Sequence, residues 1–222
     1  MPAPNGTYTE ISFINPVEPD YRVYSIKHWK HNVKDGSLLL NTRYKSNVFK
    51  LASTGMLTAV GILIPMFFPK IVIGPASYTL ASHVAIFISM FISPGVTAGV
   101  TLGTTIGFFL GGFPLIIVFR AASHIFWSLP GALYLSRAGR FDISWYKLRL
   151  FSVTIALIHG ACELGAVNLF YFSTAFPTEY DFAWILGFIG LGTAVHSMVD
   201  LEIANVVRLV LQKQKSYREL AR

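Results

Sequence analysis

The pattern of apolar and polar positions divides the chain near Val48. Ahead of it, Pro2, Pro4, Pro16 and Pro19 punctuate a polar segment rich in bases. No charged start leads directly into an apolar run with a small-residue cleavage site, so the segment is not read as a secretory signal. Beyond Val48 apolar stretches dominate. A membrane helix takes roughly 20 residues, with a range of about 17–25. Six stretches qualify or come close: residues 49–68, 80–93, 96–110, 115–135, 148–172 and 184–211. Pro65 and Pro69 end the first, Pro94-Gly95 separates the second from the third, and Gly111-Gly112-Phe113-Pro114 ends the third. Polar linkers at 136–145 and 173–181 separate the rest. The second and third stretches are short and also fit one re-entrant pair. Residues 69–81 read as a loop with a β-prone piece at 71–73. The pattern predicts an all-α membrane protein of six transmembrane helices. Its expected parts are a polar, basic cytoplasmic tail over 1–47, a six-helix membrane domain over 48–212 and a basic cytoplasmic tail over 213–222.

Composition agrees. Of 222 residues, 53% are hydrophobic and 13% charged, with a mean hydropathy of +0.54. A soluble domain carries about 25% charged residues, so a disordered chain is excluded and an ordinary soluble enzyme is disfavoured. The net charge of +7 suggests nucleic acid until the bases are placed on the map. With six spans, all but two of the 18 Lys and Arg residues fall on one side. The exceptions are Lys70, in the first loop, and Arg120, inside the fourth span. The positive-inside rule makes the basic side cytoplasmic, with both termini there. An odd number of spans would put the two basic ends on opposite sides. Within the tail, residues 21–34 interleave Tyr24, His28, Trp29 and His31 with bases, as a surface helix or an unstructured tail would.

Ionisable groups inside a span are costly unless paired or hydrated, so each is a candidate functional residue. Arg120 and His124 stand four apart on the fourth span, followed by Trp127. His159 and Glu163 stand four apart on the fifth, with Asn168 further out. His196 and Asp200 repeat the spacing on the sixth. Residues four apart share a helix face, so three helices each carry a polar stripe that avoids lipid. Depth along the spans groups Arg120, Glu163 and Asn168 in an outward-facing pocket with His83 at its rim. It assigns Asp200, Glu202 and Arg208 to the cytoplasmic half. Arg120 either contacts ligand or simply pairs with Glu163. Cys162 is the only cysteine, which excludes an internal disulfide or a Cys-rich zinc site. His159-x-x-x-Glu163 is not a His-Glu-x-x-His helix, so no metal site is expected. Neither a P-loop nor a Gly-x-Ser-x-Gly elbow is present, and no catalytic residue is assigned. Small residues form a second pattern: Ala52, Gly55 and Ala59 on the first span, and Gly95, Gly99 and Gly103 on the third. Small residues four apart permit close helix approach.

These residues resemble a known group. The loop after the first span, the small-residue face and the runs 57–65 (LTAVGILIP), 73–83 (IGPASYTLASH), 91–95 (FISPG), 102–114 (LGTTIGFFLGGFP) and 120–124 (RAASH) look like the substrate-binding S component of energy-coupling factor (ECF) vitamin transporters. The likeness spans about residues 48–211 and is nearest to the niacin-type members. It implies a high-affinity vitamin subunit in a bacterial cell membrane, with a lid formed by residues 69–81. It also implies docking through Ala52, Gly55 and Ala59 onto a transmembrane coupling protein of the EcfT type with two ABC ATPases. Those partners use ATP and Mg; this chain is expected to carry no cofactor and to be no enzyme. Niacin or a related small vitamin is the expected substrate, with cobalamin or a hydroxymethylpyrimidine- or pyridoxine-type ligand as alternatives. For a pyridine carboxylate, Arg120 suits the carboxylate and Tyr78 or Trp127 the ring. His83, His124, Glu163 and Asn168 suit the ring nitrogen and the rim. Rivals of other classes are a solitary proton-coupled transporter using His159, Glu163 and Asp200, an intramembrane acid–base enzyme and a purely structural membrane subunit.

Overall fold

Helices dominate because most apolar runs carry no strand alternation and few breakers. The structure is a computed structural model, and it describes residues 39–73, 76–139, 142–174 and 182–214. The reading of residues 21–34 and the basic stretch 215–222 lie outside the described residues. In order come α1 (Leu39–Phe67), a hairpin of β1 (Lys70–Ile73) and β2 (Ala76–Thr79), α2 (Val84–Ile92), α3 (Pro94–Leu110), α4 (Leu115–Ser123) and α5 (Ile125–Ala138). Then follow α6 (Trp145–Thr174), α7 (Phe182–Ile185), a π-helical segment Leu186–Leu191 and α8 (Gly192–Gln212). All packing below belongs to the unit that begins at Tyr44.

Among the described residues, four helical stretches are long and apolar enough to cross a membrane: Tyr44–Phe67, Leu115–Ala138, Trp145–Tyr171 and Ala183–Gln212, with Pro94–Leu110 as a shorter apolar helix. The second predicted span is the main departure. It becomes α2, nine residues long. At 1.5 Å per residue that is about 14 Å, half of the roughly 30 Å hydrocarbon core. Its residues are nearly all buried, Phe87, Met90 and Phe91 among them, between α3, α5 and α8. A helix apolar all round is buried by protein as readily as by lipid, so hydropathy does not separate the two cases. The hairpin is a second departure from an all-α chain. It extends the β-prone piece at 71–73 by an antiparallel partner, with Ile71 opposite Tyr78.

Local chemistry sets the helix ends. Ser93 caps α3 by accepting from the Val96 N–H at 3.1 Å, and Pro94 occupies the first turn, where its missing N–H costs nothing. The fourth span breaks at His124 into α4 and α5, where the His124 N–H returns to Ala121 three residues back. Trp127, Phe87, Phe91, Val100, Leu135 and Leu201 form the core. Apolar side chains elsewhere stay outward, as on α6 (Leu150, Val153, Leu157) and α8 (Val195, Val199, Val206). Exposed apolar surface of this extent fits lipid rather than water.

α1 is peripheral. Only 6% of its apolar window is buried, against 44% for each of the other three long spans. One face lies on α3, where Gly99, Gly103 and Gly107 receive Thr54, Thr58 and Ile62 in turn. A methyl on Gly103 would come 2.8 Å from Thr58 Cγ2, whereas nothing lies within 4 Å of one on Gly55. Gly103→Ala should therefore destabilise by about 1–3 kcal/mol through overpacking. Gly55→Ala should be neutral or stabilising, by up to about 1 kcal/mol through helix propensity. Thermal unfolding of the two variants in detergent checks the opposite signs.

Candidate functional site

Side chains from α4, α6 and α8 meet at one carboxylate, that of Glu163. Arg120, in the last turn of α4, donates from Nε and Nη2 to Glu163 Oε2 at 3.0 and 2.6 Å. Thr193 of α8 donates its hydroxyl to the same oxygen at 2.9 Å. The other oxygen, Oε1, faces His124 Nε2 at 3.1 Å and His159 Nε2 at 3.4 Å. Arg120, His124, His159 and Glu163 are all buried. In such a setting an ion pair holds only when its remaining lone pairs and N–H groups are also engaged, and here both carboxylate oxygens are.

A second carboxylate lies alongside. Asp200 of α8 accepts from the Ala81 N–H at 2.8 Å and from the His83 N–H at 2.9 Å. Its Oδ2 also meets His83 Nδ1 at 3.2 Å and His196 Nε2 at 3.3 Å. It thus caps, from another helix, the start of α2, which has no side-chain cap of its own. Ala81 has a φ of 67°, in the left-handed region that disfavours side chains, and its N–H is tied to Asp200. The hairpin is held in addition by Tyr78, whose hydroxyl donates to the Phe188 carbonyl in the π-helical segment. Burial keeps that hydroxyl's pKa above its ordinary value, so it stays a donor at neutral pH.

A cavity of about 380 Å³ opens above this network. Its wall takes Pro65 from α1, Lys70, Val72, Ser77 and Thr79 from the hairpin, Thr104 and Phe108 from α3, and Phe113. Arg120, His124 and Glu163 complete it. The volume suits a small molecule. Phe108 and Phe113 stack with ring centroids 4.5 Å apart.

Among curated proteins, the chain is 37% identical over 194 residues to the niacin transporter NiaX of Lactococcus lactis subsp. cremoris (strain MG1363). The match covers 85% of this chain and 86% of that one. The chain belongs to the niacin transporter family. The resemblance to niacin-type S components read from the sequence is borne out, and the chain is a multi-pass membrane transport protein. No family model and no solved structure matches it.

The family member's cavity takes only part of the expected site. Arg120, His124 and Glu163 line it, whereas Tyr78, His83, Trp127 and Asn168 are not among its lining residues. Trp127 is fully buried and stacks on His159 at 4.4 Å. The Asn168 amide donates to the Leu164 carbonyl on its own helix at 2.8 Å. Ala52, Gly55 and Ala59 lie exposed along α1. Asp200 binds the residues that open α2. His83, expected at the pocket rim, meets α8 through Asp200 and packs edge-on against His124. Arg208 instead donates to Asn205 Oδ1 at 3.0 and 2.8 Å and stands over Phe91. Lys70, Thr104, Phe108 and Phe113 are lining residues that the stripes on the helices did not indicate. Lys70 had one signal, its position off the cytoplasmic side.

Removing one member of a buried pair leaves the other unmatched. Glu163→Gln should destabilise by about 3–5 kcal/mol. The Arg120→Met/Glu163→Leu double variant should lose clearly less than the sum of its single variants. Thermal unfolding in detergent measures both, and strict additivity would contradict the coupling.

Proposed function

We propose that this chain is the niacin-binding S component of an ECF-type vitamin importer, a subunit of six membrane segments with both termini cytoplasmic. The observation that carries the reading is Arg120, a buried guanidinium in the wall of a largely apolar cavity, in a chain related to a niacin transporter. Niacin is a flat ring bearing one carboxylate. A guanidinium has five N–H donors, and Glu163 takes two of them, leaving donors for a second carboxylate. The stacked Phe108–Phe113 pair offers an apolar face to the ring. The Thr104 hydroxyl, buried without a partner on the cavity wall, suits the ring nitrogen. Lys70 brings a second cation from the hairpin, and residues 69–81 act as the lid.

In this reading the chain carries no ATPase of its own. Ala52, Gly55 and Ala59 on the outer face of α1 dock a coupling protein of the EcfT type, and two ABC ATPases supply work from ATP and Mg. The open space above Gly55 supports a face free for a partner. Residues 1–47 and 213–222 are the cytoplasmic tails around the membrane domain.

Mass spectrometry of ligand released from the purified chain should find niacin. A charge-assisted hydrogen bond is worth about 1.5–3 kcal/mol, so Arg120→Ala should weaken niacin binding by roughly 10- to 150-fold. Wild type should prefer niacin to its uncharged amide. Affinity within a factor of two of wild type would remove Arg120 from the carboxylate role.

Gly55→Leu separates binding from transport. Niacin binding by the isolated subunit should be unchanged, whereas ATP-dependent uptake should be lost in proteoliposomes containing the coupling module. Niacin uptake driven by a pH gradient without any ATPase would instead favour a solitary carrier.

A further inference from the structure

Beneath the cavity, three imidazoles and a carboxylate converge from positions far apart in the chain. They are His83 at the start of α2, His124 between α4 and α5, and His159 and Glu163 on α6. Each offers one ligand atom, and these atoms all lie within 4.8 Å of one another. We propose that His83, His124, His159 and Glu163 form a binding site for a divalent transition metal of the zinc class.

The donor set is the first support. Three imidazole nitrogens and a carboxylate oxygen suit zinc and its neighbours, which favour four-coordinate sites with bonds of about 2.0–2.2 Å. A tetrahedron of such bonds has edges of about 3.3 Å. Two edges already have that length: Glu163 Oε1 lies 3.1 Å from His124 Nε2 and 3.4 Å from His159 Nε2. His83 completes the set by moving in from its present separation.

His159 is the second. Its side chain is fully buried, Nδ1 has no partner, and Nε2 has only the long 3.4 Å contact with Glu163 Oε1, which misses hydrogen-bond geometry. An unsatisfied buried nitrogen is costly; a metal ion takes up the lone pair on Nε2. Trp127 stacks on the ring and fixes its plane.

The surroundings are the third. Metal-bound imidazoles commonly give their other N–H to a carboxylate, which sets the tautomer. Asp200 Oδ2 stands 3.2 Å from His83 Nδ1, so a proton on Nδ1 leaves Nε2 as the ligand atom. Arg120 and Thr193 occupy Glu163 Oε2, which leaves Oε1 for the ion. Charge points the same way: Arg120 matches Glu163, while Asp200 faces imidazoles, which carry charge only when protonated. His124 and Glu163 also line the cavity, so the ion has an entry path.

The test uses the full chain, purified in detergent without a histidine tag, stripped with chelator and titrated with Zn2+ or Co2+ in the absence of niacin. One metal per chain should remain after desalting, Co2+ should give a tetrahedral absorption spectrum, and metal should raise the melting temperature. His159→Gln and His124→Asn should each weaken Co2+ binding by about 100-fold or more, and Asp200→Asn by about 10-fold, as loss of an orienting partner does. A His28→Asn/His31→Asn variant should keep the metal. The proposal is overturned if the folded wild-type chain retains neither metal. It is also overturned if the His159 and His124 variants, folded by their melting curves, bind Co2+ as wild type does. Both readouts are independent of the substrate.

Discussion

A carboxylate buried as deeply as Glu163 is held by the protein partners it finds, and it finds them on three sides. α4 supplies a guanidinium, the α4–α5 junction an imidazole and α8 a hydroxyl. These contacts tie α4 and α8 to α6, because losing one partner leaves a buried charge unmatched. The cavity lies beside the pair, walled by α1, the hairpin, α3 and α4. Its wall includes the pair itself, so the group that sets the architecture also sets the charge a ligand meets.

Asp200 extends the same logic to the non-helical part. Through the Ala81 and His83 N–H groups it binds α8 to the turn between hairpin and α2. The start of α2 has no side-chain cap of its own, and this tie from α8 satisfies the N–H groups leading into it. His83 belongs to both carboxylate clusters: it contacts Asp200 directly and packs edge-on against His124 and His159. The turn that follows the hairpin and the polar cluster beside the cavity are therefore joined through one imidazole.

Much of this was legible in the chain because the cost of a charge in lipid is large and position-dependent. That cost singled out Arg120, His124 and Glu163 and placed them on inward faces, and the small-residue spacing on the third span anticipated the seat of α1. Two things were not legible. The run at 80–93 is as apolar as a span, and only the packing of α3, α5 and α8 around it makes it a short buried helix. The convergence of His83, His124 and His159 depends on how the start of α2 packs against α6 and α8, which no spacing along the chain encodes. Lining residues such as Thr104 and Phe108 carry ordinary side chains for a membrane helix, so nothing in their type marked them.

The π-helical segment Leu186–Leu191 gives the Tyr78 contact an uneven heredity. Its acceptor is the carbonyl of Phe188, a group that every amino acid brings to that position. Its donor is a phenol that only one residue type supplies at that reach. Gly192 adds to the asymmetry, because a side chain there would strike the Tyr78 hydroxyl. Mutation at 188 therefore leaves the contact standing, while selection to keep it falls on 78 and 192. A bond that looks shared between two segments is, in evolutionary terms, carried mostly by two positions.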